Sequence, residues 1–213
     1  MSITDFRGKA KRLDQWDFGV LGRRIGAGED EIRAVVQVEA AGSGFDRLGR
    51  PKMLFEPHVF WRELGELKRR RAEAQGLAYR KWRSGNYPRD SYPRLLAAIA
   101  IDRPAALRSA SWGLGQIMGF NCKLAGYATA EAMVEAFLED EEKHLEAMLN
   151  FIVSAGLDDE LRAIAALGRA STPADWAPFA LGYNGSGFRT HGYHIKLAEA
   201  HARWKRTPDV KVP

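Results

Sequence analysis

The chain has 213 residues, 46% of them hydrophobic and 28% charged, a composition that excludes the disordered, collagen-like and low-complexity classes of protein. At about 150 residues per domain, this length predicts a single domain, and the one cysteine, Cys122, excludes an intrachain disulfide. The formal net charge of +5 predicts attraction to polyanions, but it does not choose between nucleic acid, anionic lipid and an acidic wall polymer.

The hydrophobic periodicity is mostly helical. Residues 1–25 are glycine-rich and basic, and we expect them to form a helical N-terminal extension packed on the domain. Apolar residues at helical spacing predict further helices over residues 30–41, 57–73, 93–101, 103–109, 129–155, 158–167, 174–181 and 194–204. The acidic run from Glu139 to Glu142 is a candidate break in the longest of these. Residues 205–213 are predicted to form a loose C-terminal tail.

Two segments depart from the helical pattern. Residues 52–55 have the length of a short strand, and we expect them to pair with residues near position 45 in one very short hairpin. Residues 79–93 mix aromatic and basic side chains with prolines and a glycine, which predicts a loop. The longest apolar run, Leu95 to Ile101, is far shorter than the ~18 residues of a membrane-spanning helix, so we expect no membrane insertion.

Glu39 is the strongest candidate for chemistry. Ile32, Val35 and Val36 share one helix face with it, so that an apolar stripe ends in a carboxylate. Burial without a cationic partner raises the pKa of a carboxyl group, and a carboxyl that stays protonated near neutral pH can act as a general acid. The alternative is a structural role, in which Glu39 pairs with an arginine or lies half-exposed at the helix end.

Two glycine-rich segments are candidate binding loops. Residues 111–119 (SWGLGQIMG) contain glycines that allow close approach to a ligand, with the amide of Gln116 and the flat face of Trp112 beside them. Residues 182–187 (GYNGSG) carry an Asn-Gly turn signal, and Tyr183 and Asn184 can hydrogen-bond to sugar hydroxyls. For either segment taken alone, a packed turn without a ligand is the alternative.

Taken together and in this order, these segments resemble a known family. Goose-type lysozymes and soluble lytic transglycosylases carry a glutamate at a helix end, then a Gly-Leu-Met-Gln-Ile-Met segment, then an Ala-Tyr-Asn-Ala-Gly segment. The phage and prophage endolysin N-acetylmuramidase domain is a closer match over roughly residues 20–204, and its motifs are similar to residues 38–45 (VEAAGSGF), 49–60 (GRPKMLFEPHVF), 109–121 (SASWGLGQIMGFN) and 183–185 (YNG).

The chain departs from the wider superfamily at two positions and in one spacing. Ala40 stands where the superfamily often has serine, and Gly115 replaces a bulkier residue before the glutamine. The stretch between Glu39 and Gly113 is much longer than in lytic transglycosylases, which favours the muramidase family.

The resemblance implies an all-α fold, with at most one very short β-hairpin, in a single lysozyme-like domain over residues 26–204. It implies a glycoside hydrolase that cleaves the β-1,4 bond between N-acetylmuramic acid and N-acetylglucosamine, with Glu39 as general acid and no cofactor. The residues that it places in the substrate cleft are Gln116, Gly113, Ile117, Met118, Trp112, Tyr183 and Asn184.

Four further residues are weaker candidates for the same reaction. Asp46 and Glu56 are the nearby carboxylates that could activate water, with Glu56 rated above Asp46, although a helix-capping role is the alternative for Glu56. Trp82 and Tyr87 of the 79–93 loop could stack on sugar rings, although they could equally anchor a surface loop.

No metal site is expected, because the closely spaced His191, His194 and His201 lack the His-Glu-x-x-His pattern. The resemblance implies bacterial peptidoglycan as the partner, bound by a monomer whose basic surface contacts the anionic cell envelope. The start of the sequence has no apolar signal segment, so we expect cytoplasmic synthesis in a bacterial host and action on the wall after release.

Two other functions stay open. A lytic transglycosylase would cleave the same bond without water and leave anhydro-muramic ends. A non-catalytic basic module would bind wall polymer or nucleic acid, but no nucleic-acid motif accompanies the charge, and we expect no nucleic-acid partner.

Overall fold

Helices make up most of the chain in the computed structural model, which describes residues 5–40 and 42–210. The helices are α1 Asp17–Arg24, α2 Glu29–Glu39, α3 Pro57–Glu63, α4 Glu66–Ala74, α5 Tyr92–Ile99, α6 Arg103–Arg108, α7 Ala130–Glu139, α8 Glu141–Ser154, α9 Asp158–Ala165, α10 Pro173–Asn184, α11 Phe188–His191 and α12 Tyr193–Trp204. The helical class is confirmed. Across the described ranges, no helix combines the length and the apolar character needed to cross a membrane.

The helix predicted over residues 57–73 is wrong in one respect, because the structure divides it into α3 and α4. Leu64 ends α3 with an extended backbone (ψ 141°) and keeps its side chain in the core. Gly65 then takes the N-cap position of α4. Burying Leu64 redirects the chain, which the smooth helical periodicity of this stretch does not reveal.

The predicted break in residues 129–155 is confirmed at Asp140. Its backbone is extended, and its side chain accepts a hydrogen bond from the Glu142 N–H and so caps α8. Lys11 pairs with Asp140 in a parallel bridge, so an N-terminal strand-like segment fills the gap between α7 and α8.

The predicted N-terminal extension is helical only over α1, which packs on α2 and α8. Residues ahead of α1 run over the domain instead, and Phe6 is buried between the rings of Tyr92 and Trp112, at centroid distances of 5.2 and 5.8 Å. At the other end, the Val210 N–H donates to Glu29. Residues 1–4 of the predicted extension, residue 41 at the end of the predicted helix and residues 211–213 of the predicted tail lie outside the described residues.

A three-stranded antiparallel sheet faces the helices, where only one short hairpin was predicted. Its strands are β1 Met53–Phe55, β2 Ala110–Trp112 and β3 Ile117–Met118, in the order β1-β2-β3. The expected pairing near position 45 is present as a single bridge between Phe45 and Pro51. The main partner of β1 is instead β2, with Met53 opposite Trp112 and Phe55 opposite Ala110.

Helix α12 packs against both α2 and α10, and a buried chain of hydrogen bonds connects the three helices. The hydroxyl of Ser171, just before α10, is 2.7 Å from His201 Nδ1, and His201 Nε2 is 2.8 Å from the Glu31 carboxylate. The network ties the first turn of α2 to the residue before α10, and Glu39 and Asn184 lie at the opposite ends of these two helices.

Candidate active site

Glu39 lies at the C-terminal end of α2, where its carboxylate meets α10. The Asn184 side-chain amide donates to both carboxylate oxygens of Glu39, at 3.1 Å each. Ile32, Val35 and Val36 are buried, as their spacing predicts. Within residues 5–40 and 42–210 no ion pair includes Glu39, so the arginine-paired alternative does not describe this site, whereas the side chain is partly exposed at the helix end, as the other alternative stated.

Burial sets the protonation of Glu39. It raises the pKa of this carboxyl above the ordinary value of 4.5, while the Asn184 amide and the charge of Lys196 act in the opposite direction. The partial negative charge at a helix C-terminus also disfavours the ionised carboxylate at this position. Relative to an exposed glutamate, the site therefore stabilises the protonated form of Glu39, which is the form that can donate a proton.

Glu39 lines a cleft of about 600 Å³ between α2, the sheet and the loop before α5. Among the sequence-predicted residues, the cleft brings together Glu39, Asp46, Gly113 and Gln116. The other residues that line it are Ala40, Arg47, Leu48, Arg50, Lys52, Met53, Arg89, Asp90, Ser91 and Tyr92.

The first turn of α8 holds together two loops of the cleft, a role that sequence reasoning missed. The buried Glu141 carboxylate accepts hydrogen bonds from the Gly44 N–H and from the Ser43 hydroxyl, in the loop that follows Glu39. The buried His144 accepts from the Leu114 N–H through Nδ1 (3.2 Å) and donates through Nε2 to the Phe137 carbonyl (2.8 Å).

His144 also explains two of the glycines in the motifs. A Cβ at Gly44 would overlap the imidazole ring, and a Cβ at Gly113 would lie 2.8 Å from His144 Nδ1 and from Phe137. Gly113 in addition has a φ of +68°, a conformation that favours glycine. Close packing around one histidine therefore requires glycine on both sides of the cleft.

We expect the free energy of unfolding to fall by roughly 3 kcal/mol between about pH 6.5 and pH 4 because of His144 alone. Burial lowers the pKa of His144 from 6.5 to about 4, so in this interval the unfolded chain binds a proton that the folded protein does not. Urea titrations at pH 7, 5.5 and 4 measure this slope. His144→Gln should flatten it, whereas the exposed His191→Gln should not, and equal slopes in all three proteins would contradict the assignment.

Gln116 lines the cleft, but its amide is engaged within the protein. Its Nε2 donates to the Gly113 carbonyl at 2.9 Å, and its Oε1 accepts from the Ser111 hydroxyl at 3.0 Å. Its backbone has a φ of +46°, which is uncommon for a residue other than glycine and persists where the surroundings over-determine it. Gln116 therefore shapes the turn between β2 and β3 at the floor of the cleft.

Two residues predicted to contact substrate are corrected by the structure. The Trp112 side chain is completely buried in the core, and its indole N–H donates to the Leu107 carbonyl. Ile117, opposite it on β3, is also buried. Both therefore belong to the core under the sheet, and neither lines the cleft.

The remaining predicted contact residues lie outside the lining of the cleft. Met118, on β3, pairs with Ser111 of β2. The ring of Tyr183 stacks on that of Phe179, one turn earlier on α10. In the 79–93 loop, Trp82 is exposed.

The two weaker carboxylates have different surroundings. Asp46 lines the cleft, and its oxygens accept hydrogen bonds from the Leu48 and Arg50 N–H groups and from the Arg50 guanidinium. Glu56 is not among the residues that line the cleft, and its carboxylate accepts a hydrogen bond of 2.6 Å from the Tyr87 hydroxyl. The structure thus brings Asp46, and not Glu56, into one cleft with Glu39.

The described part of the chain contains no group of three or more His, Cys, Asp or Glu side chains arranged to hold a metal ion. His201 is occupied by its contacts with Ser171 and Glu31 in the core.

Comparison with known proteins places this site in a family. A sequence-family model described as N-acetylmuramidase matches residues 29–205. The crystal structure of the Burkholderia AP3 phage endolysin is similar to this chain, with a TM-score of 0.80 and 32% sequence identity over 96% of this chain and 76% of that one. A search of curated proteins gives no significant match. Because the family match takes in Glu39, the cleft and Asn184, the chain belongs to the N-acetylmuramidase family and is a glycosidase that degrades peptidoglycan.

Proposed function

We propose that this protein is a lysozyme that hydrolyses the β-1,4 bond between N-acetylmuramic acid and N-acetylglucosamine, with Glu39 as the general acid. The observation that carries the proposal is the partly buried carboxyl of Glu39, which has a raised pKa and opens onto a cleft of about 600 Å³. A protonated carboxyl at the wall of a cleft is the group required to protonate a leaving glycosidic oxygen.

In this mechanism Glu39 gives its proton to the leaving oxygen as positive charge develops on the sugar ring. The Asn184 amide suits both protonation states. Its Nδ2 donates to the carboxylate, and a half-turn of the amide would present Oδ1 as an acceptor to the protonated acid. Asn184 Oδ1 is buried without a hydrogen-bond partner among the described residues, so this acceptor is available.

Mass spectrometry of the fragments released from purified peptidoglycan tests the proposal, with Glu39→Gln as the control. We expect reducing N-acetylmuramic acid ends that are absent from the control digest. Anhydro-muramic ends would instead identify a lytic transglycosylase, and reducing N-acetylglucosamine ends would identify a different bond. No fragments from either protein would favour a non-catalytic binding module.

Asn184→Ala should move the alkaline limb of the pH profile of kcat/KM to higher pH. The Asn184 amide stabilises the ionised form of Glu39, so its removal raises the pKa of Glu39 further. The active protonated form then persists to higher pH. Asn150→Ala, which removes an amide outside the cleft, is the matched control, and an unmoved or lowered alkaline limb would contradict the role of Asn184.

We infer that Asp46, rather than Glu56, provides the second carboxylate of the reaction. Asp46 shares the cleft with Glu39, whereas Glu56 contacts Tyr87 outside it. Asp46→Asn should lower kcat by at least about 10-fold, and Glu56→Gln should lower it by less than about 3-fold, with thermal unfolding measured for both. A larger loss in Glu56→Gln at unchanged Tm would restore Glu56 as the second group.

The AP3 protein is a phage endolysin, and we propose the same role for this chain: a monomer that acts on the bacterial wall after release from the cytoplasm. The net charge of +5 supports attraction to an anionic cell envelope, and we propose no nucleic-acid partner.

A further inference from the structure

The cleft around Glu39 is lined by more cations than its reaction requires. Four basic side chains line it, Arg47, Arg50, Lys52 and Arg89, against the carboxylates of Glu39, Asp46 and Asp90. Basic side chains thus outnumber acidic ones in the cleft by one, which favours an anionic ligand over a cationic one.

Arg50 is committed to the protein and links two loops of the cleft. Its guanidinium contacts the carboxylates of Asp46 (2.8 Å) and Asp90 (3.3 Å) and lies over the ring of Tyr92, 4.0 Å from its centroid. Asp46 is further held by two backbone N–H groups, and Asp90 accepts from the Tyr92 N–H. The loop backbone on both sides of this cross-link is therefore fixed.

Each of the two loops carries one further arginine directly beside the cross-link. Arg47 follows Asp46, and Arg89 precedes Asp90. Both side chains are exposed, and neither lies within ion-pair distance of a carboxylate in the part of the chain that the structure describes. The fold thus presents two guanidinium groups to the cleft from a rigid base.

We propose that Arg47 and Arg89 form a subsite for the free carboxylates of the peptide attached to muramic acid, so that the enzyme binds glycan with ionised peptide carboxylates more tightly than glycan whose peptide carboxylates are amidated. The proposal rests on the proposed function, because the muramic acid in the cleft is the sugar that carries this peptide. Guanidinium groups pair well with carboxylates, and amidation removes the negative charge with which they pair.

The test measures binding by titration calorimetry in the Glu39→Gln background. The ligands are peptide-bearing glycan strands freed of phosphodiester polymers, and the same strands after carbodiimide-driven amidation of the peptide carboxylates. Arg47→Gln and Arg89→Gln should each weaken binding of the unmodified strands about 3-fold, and the double variant roughly 10-fold, at low salt. Binding of the amidated strands should not change, and 0.5 M salt should remove most of the difference.

Arg71→Gln on α4, which removes the same charge from an exposed position outside the cleft, is the matched control. Equal losses on both ligands, or losses equal to those of Arg71→Gln, would overturn the subsite. Binding in an inactive background also separates this proposal from the proposed function, which is tested by the ends of the fragments that the protein with Glu39 intact releases.

Discussion

Glu39→Gln should abolish wall hydrolysis, with a loss in kcat of roughly 10³-fold or more, while the protein stays folded. Glutamine fills the same volume and can still bond to the Asn184 amide, but it has no proton to give to a leaving oxygen. Turbidity assays on wall suspensions and calorimetric unfolding of the same preparations measure the two effects.

Glu39→Gln should also change the thermal stability of the protein, in a direction that depends on pH. Burial raises the pKa of Glu39, so its contribution to stability is full below the unfolded-state pKa and is lost as the pH rises through the higher folded-state pKa. At pH 7 the substitution should therefore raise Tm slightly, and the gain should vanish near pH 4. A variant that is inactive because it is unfolded, or that keeps more than a tenth of the activity, would contradict the assignment of Glu39.

His201→Leu should lower the free energy of unfolding by about 3–5 kcal/mol, because it leaves the Glu31 carboxylate buried without its partner. For a chain of this length the corresponding fall in Tm is roughly 10 °C. Interactions with His201 lower the pKa of Glu31, so the Glu31 contribution to stability is present above pH 4.5 and is lost as the pH falls through the lowered value.

A second substitution distinguishes a buried charge from simple loss of packing. Glu31→Gln should destabilise the wild-type protein, but it should stabilise the His201→Leu protein, because there it removes an unpaired buried charge. Urea titrations of the four proteins at pH 7 measure the cycle. If Glu31→Gln lowers the free energy of unfolding equally in both backgrounds, then His201 stabilises the protein by packing and not by pairing with the Glu31 charge.

Much of the helical order follows from local pattern, and so does the best candidate residue. The stripe of Ile32, Val35 and Val36 ends at Glu39 in the structure as in the sequence, and the acidic run breaks its long helix at Asp140. These predictions succeed because helix periodicity and capping depend on residues three or four positions apart.

The parts that sequence reasoning missed depend on distant residues. Strands of two or three residues show no alternation, so the pairing of Met53 with Trp112 is invisible before folding, and with it the burial of Trp112. The contacts of His144 and Glu141 reach loops 30 and 97 residues away, and no local pattern marks them. The contact of Arg50 with Asp90 likewise joins loops 40 residues apart.

The contacts of the segment ahead of α1 determine where a shortened catalytic fragment should begin. The family match starts at residue 29, yet Phe6 wedges against Tyr92 in the cleft wall, and the Leu13 N–H donates to Glu141. The Lys11 carbonyl accepts from the Glu141 N–H, so this segment braces the turn that joins the two cleft loops. Boundaries drawn from family similarity alone would discard this brace, and a minimal catalytic fragment should therefore start no later than residue 5.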